Sequence, residues 1–174
     1  IEDDPYCTQS FLKSGEVYPM VGSIKECVAI ASKKERQELV QSTMDMVYQF
    51  AFNGRKVTRV QLAAIPDLLP TLSSLCNEEG LIENSGQLVE DISNIAICLS
   101  KGSPEKTAAL LLQAGWANLL IQALKAWHRD EETIDWTTSA IHTILCNDLT
   151  NGKAAFITAG AETELMTVMN MKRF

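Results

Sequence analysis

Lys106 to Leu124 reads KTAALLLQAGWANLLIQAL, and Lys153 to Met169 reads KAAFITAGAETELMTVM. Both open with a lysine among small and apolar residues, reach Ala-Gly, and then resume an apolar pattern. Gly115 and Gly160 stand 45 residues apart. The physical reading is a short helix that ends near the small residue, a sharp turn, and a second helix. Glycine suits such a turn because it has no Cβ.

Weaker copies of the element precede these two. Val57 to Leu72 reads VTRVQLAAIPDLLPTL, with Ala64 at the glycine position, and Phe11 to Ala29 reads FLKSGEVYPMVGSIKECVA, with Gly15 there. The successive spacings are 49, 51 and 45 residues. Self-similarity at that period is the signature of a helical solenoid. Pro66 is expected in the first turn of its second helix, where its missing N–H costs nothing.

A third helix is expected between copies, over Lys34–Phe52, Gln87–Ser100 and Thr133–Leu149. Leu39, Thr43, Met46, Val47 and Phe50 form one stripe at three- and four-residue spacing. Leu88, Ile92, Ile95, Ala96 and Leu99 form the next, and Ile134, Thr137, Ile141, Ile144 and Leu145 the last. That period marks helices packed on one face. Asn53-Gly54, Lys101-Gly102-Ser103-Pro104 and Asn151-Gly152 supply turn signals after them. The expected fold is all-α: a right-handed α-solenoid of about three to four units, with residues 1–174 forming one domain.

Composition agrees. The 174 residues are 46% hydrophobic and 21% charged, the range of a globular chain. Aromatics at 6%, with 9 glycines and 5 prolines, favour helix over a β-sandwich. The formal charge of −7 disfavours nucleic acid and anionic membranes as partners, and no apolar run approaches a membrane span. Cys7, Cys27, Cys76, Cys98 and Cys146 are odd in number and widely spaced, several within apolar stretches. They predict free thiols and a reducing compartment, the cytoplasm or the nucleus. The chain begins with Ile1, which suggests a processed chain or a fragment.

Three helices per unit, with Ala-Gly before the second, resemble the armadillo repeat. Gln113 to Leu120 and Ile157 to Ala161 carry the resemblance, with Ile92-Ser93-Asn94-Ile95-Ala96 and Ala64-Ile65-Pro66-Asp67-Leu68-Leu69. A HEAT-type solenoid is the alternative. The armadillo resemblance implies that the third helices line a groove in which an asparagine ladder holds an extended peptide by its backbone. Gln49, Asn94 and Thr143 fall at the equivalent positions, and only Asn94 is the family's residue. One turn earlier, where nuclear-import receptors carry tryptophan, stand Asp45, Glu90 and Ser139, a departure from recognition of a nuclear-import signal. Asp45 and Glu90, with Trp136 two turns before Thr143, would suit a basic or arginine-containing segment. The alternative is that both acids are solvated helix-face charges.

The chemical motifs are sparse. His128 and His142 are the only histidines. A His142–Cys146 pair one turn apart suggests a nucleophile and base but lacks an orienting group. No metal-ligand spacing, calcium loop or phosphate-cradling loop is present, so no cofactor is expected. The expected function is a non-enzymatic protein-interaction scaffold. The alternative is a structural subunit in a larger assembly, joined through an apolar end at Leu165, Met166, Met169 and Phe174.

Overall fold

The computed structural model describes residues 17–78 and 80–171, and every regular element among them is an α-helix. The first two are α1, Val17–Ile30, and α2, Lys33–Asn53. Next come α3, Lys56–Ala63; α4, Leu68–Cys76; the short α5, Leu81–Asn84; and α6, Gly86–Ser100. Then follow α7, Pro104–Gln113; α8, Trp116–Ala126; α9, Glu131–Asn147; α10, Leu149–Thr158; and α11, Ala161–Met171.

Local chemistry sets many of these starts. Ser32 and Glu35 form a reciprocal capping box at α2, each side chain accepting from the other's backbone N–H. Ser85 accepts from Leu88 N at 3.1 Å to open α6, and Asp130 accepts from Thr133 N at 2.8 Å to open α9. Pro104 sits at the first turn of α7. At the far end of α2, the Arg59 guanidinium donates to the carbonyls of Ala51 and Phe52 at 2.8 and 2.9 Å, satisfying acceptors the helix leaves open.

The helices lie in three rows of like neighbours. The long helices α2, α6 and α9 pack side by side in that order. The helices α3, α7 and α10 make a second row, and α1, α4, α8 and α11 a third. Helix α6 is covered by α2 and α9 on its flanks and by α3, α7 and α8 behind, so it buries eleven of its fifteen residues. Trp116, fully buried, ties two neighbours of the third row together: its indole Nε1 donates to the carbonyl of Leu69 at 3.4 Å. The tandem α7–α8 bends by 74° about Gly115, whose φ of 82° is a left-handed conformation that glycine adopts most readily.

Three local expectations are corrected. The residue equivalent to Gly115 and Gly160 is Asp67, not Ala64: Asp67 has φ 61° and precedes α4, whereas Ala64 caps the end of α3 with φ −90°. Ile65 and Pro66 are an insertion between those two roles, so Pro66 lies in the link and not in the first helical turn. Asn151-Gly152 is not a turn. Asp148 accepts from Asn151 N at 3.1 Å and starts α10 there, and Gly152 is buried, where a Cβ would meet Leu145 at 3.1 Å. Helix α9 therefore stops at Asn147 instead of Leu149. Gly15, in the first copy, lies outside the described residues.

Candidate binding surface

The row α2–α6–α9 carries all seven residues expected to line a groove. Asp45 and Gln49 are exposed on α2, where the Gln49 amide donates to Asp45 Oδ1 at 3.3 Å. Glu90, on α6, is half-exposed, and Trp136 and Ser139, on α9, are exposed, with Trp136 at 37%. Glu90 and Trp136 line one cleft between α6 and α9. Asp45 and Glu90 also lie close enough to Tyr48 that both help raise its phenol above the ordinary range, after burial and the Cys98 thiol.

Two of the seven differ from expectation. Asn94 is only 7% exposed, because α6 is flanked on both sides. Its amide makes no hydrogen bond to a described residue, yet it is not among the sealed polar atoms, so it keeps some access to the surface. Thr143 is half-buried and its hydroxyl donates to the Ser139 carbonyl at 2.7 Å. That bond commits it to its own helix, so it is not a free rung beside Asn94.

Sequence reasoning missed the polar seam beneath this surface. Asp91, 2% exposed on α6, accepts from the Gln41 amide of α2 at 2.6 Å and from the Gln87 amide at 3.2 Å. Ser85 donates to Gln41 Oε1 at 2.9 Å, extending the network to the start of α6. Burial chiefly, and then the charges of Asp45 and Glu90, push the Asp91 carboxyl up to about 6 against the two amide bonds. In the sequence, Glu90-Asp91 looks like a solvated acidic pair; only the packing of α2 on α6 separates an outer carboxylate from an inner one. Also missed were Trp127, Asp130 and Glu132, which share the cleft with Glu90 and Trp136.

The remaining candidates sort by location. His142 and Cys146 do meet, with Sγ 3.4 Å from Nε2, on the exposed side of α9. His128 Nδ1 lies 2.8 Å from the Lys125 carbonyl at the end of α8. Among the described residues no group of three or more potential metal ligands comes together, and no single helix is long and apolar enough to cross a membrane. At the last helix, Met166 and Met169 are exposed at 56% and 55%, whereas Leu165 packs against the core. Phe174 lies outside the described residues.

No protein-family model, curated protein or solved structure matches the chain.

Proposed function

We propose that the three rows form a right-handed solenoid of three to four armadillo-like units, and that the chain is a non-enzymatic scaffold. Its α2–α6–α9 face holds an extended segment of a partner protein. The observation that carries this reading is Asn94, a nearly buried residue whose amide has no hydrogen-bond partner among the described residues, set on the middle helix of the row α2, α6 and α9. Buried amides are normally satisfied, and a peptide backbone laid along the seam would supply both a carbonyl and an N–H. Asp45 and Glu90 on the same surface favour a basic segment. The free, buried thiols of Cys76 and Cys98 fit work in a reducing compartment such as the cytoplasm.

The test is selection from a random peptide display library, followed by binding measurements on synthetic copies of the enriched peptides. Arginine- or lysine-bearing peptides are expected. Asn94→Ala should weaken them roughly tenfold, the effect of losing uncharged hydrogen bonds at a largely buried side chain. Asp45→Lys with Glu90→Lys should abolish binding while circular dichroism shows the helices intact. If nothing is enriched, or the variants bind as the parent does, the reading falls.

A second reading, a subunit held in a larger assembly by its end, is favoured by the exposed Met166 and Met169 beside exposed Ile157. Flexible methionine surface suits an adaptable contact. Met166→Glu with Met169→Glu should then release the chain from that assembly without unfolding it. Unchanged co-assembly would rule this reading out.

A further inference from the structure

The cleft between the starts of α6 and α9 joins aromatic rings to carboxylates. Its volume is about 230 Å³. Two indoles wall it, Trp127 and Trp136, and three carboxylates rim it, Glu90, Asp130 and Glu132. No lysine, arginine or histidine lines it, and none of the three acids forms an ion pair with a described residue.

One wall and part of the rim are fixed before any ligand arrives. The Trp127 indole donates from Nε1 to the Ile82 carbonyl at 2.7 Å, and its ring lies against Gly86, where a Cβ would sit 3.5 Å from ring carbons. Asp130 is held as the cap of α9, and its bonds with Thr133 keep its carboxyl below the usual aspartate range, ionised at neutral pH. Among the described residues the Glu90 carboxylate accepts a hydrogen bond from the Gln87 amide alone, at a long 3.4 Å. One turn beyond Glu90 on α6 stands Asn94, more than nine-tenths buried and without a hydrogen-bond partner among the described residues. Indole surface beside carboxylates without a cation partner attracts a planar cation: a guanidinium stacks on indole and donates in a fork to carboxylates.

We infer that this cleft is a specificity pocket for one arginine side chain of the bound segment, with Asn94 holding the adjacent backbone. The inference rests on the peptide-binding reading above and adds the side chain that the reading leaves open. It also gives a role to Trp127 and Asp130, which come from the link between α8 and α9, and to Glu132 in the first turn of α9.

The experiment uses the ¹⁵N-labelled chain and Nα-acetyl-arginine N-methylamide as probe, followed at the indole N–H signals. The citrulline analogue, of the same shape without charge, is the control. Arginine should shift the Trp127 and Trp136 signals saturably and leave buried Trp116 in place, which also reports that the fold is intact. Citrulline should shift neither. Glu90→Gln with Glu132→Gln should weaken arginine binding roughly tenfold, the loss of charge-assisted bonds. Equal shifts with citrulline, or arginine binding untouched by the double variant, would overturn the pocket. The two readings separate. Peptides that depend on Asn94 while arginine leaves the indoles unmoved sink the pocket alone. Arginine in the cleft without any Asn94-dependent peptide sinks the extended-segment reading and leaves the pocket standing.

Discussion

Replacing Asp91 with asparagine should make this protein more stable at neutral pH, although it removes a doubly hydrogen-bonded carboxylate. Asp91 is buried between α2 and α6, and its carboxyl titrates at about 6 against an ordinary 3.8. The folded chain therefore binds this proton more tightly than the unfolded chain. Below pH 3.8 the carboxyl is protonated in both states and the seam has its full stability. As pH rises through about 6 the folded state is forced to ionise, and stability falls by up to about 3 kcal/mol before levelling off. Asparagine never carries the charge. It still accepts from one of Gln41 and Gln87, and its own amide must be met by rotating the other, at a cost of about 1 kcal/mol. The net expectation is a gain of about 1–2 kcal/mol at pH 7.5 that vanishes near pH 4.5. Urea unfolding followed by circular dichroism at both pH values, for parent and variant, measures the difference. Groups that both share, such as the hydrogen-bonded Glu35 and Asp130, cancel in that comparison. The reasoning is refuted if Asp91→Asn is more destabilising at pH 7.5 than at pH 4.5, because the ionised carboxylate would then be a net favourable partner of Gln41 and Gln87.

Gly115→Ala places a Cβ on a left-handed residue, 3.4 Å from Ser73 Oγ, and should cost about 1–2 kcal/mol, seen as a lowered melting temperature. Asp148→Ala removes the cap of α10 and should cost about 1 kcal/mol, with faster amide exchange confined first to the start of that helix. A thiol reagent applied to the native chain should label exposed Cys27 and Cys146. Cys76, whose thiol burial pushes up to about 12, and buried Cys98 should react only on unfolding, as peptide mass mapping would show.

The long helices were legible because their stability signal is local and periodic. The stripe through Leu88, Ile92, Ile95 and Leu99 places α6 at Gly86–Ser100, one residue from the sequence expectation. The α2 span, Lys33–Asn53, differs from Lys34–Phe52 by one residue at each end. The Ala-Gly turn at Gly115 was equally plain, since a left-handed residue asks for glycine. Asp67 escaped because aspartate tolerates the same conformation without announcing it, and Gly152 misled because a glycine can serve close packing as well as a turn. The four-residue α5 was too short to show a period.

Hydrophobic period and capping act within a few residues, so the all-helical character and the approximate place of each long helix can be read from the chain alone. Which polar residues meet depends instead on how the helices pack. Asp91 is buried and Glu90 half-exposed, although they are neighbours on one helix, because Asp91 meets Gln41 of α2 whereas Glu90 lines the open cleft toward α9. Trp127, Asp130 and Glu132 reach Glu90 from about 40 residues away only because α9 packs along α6. Burial depends on which helix faces are covered, and that is a property of the packed rows, which no local pattern encodes.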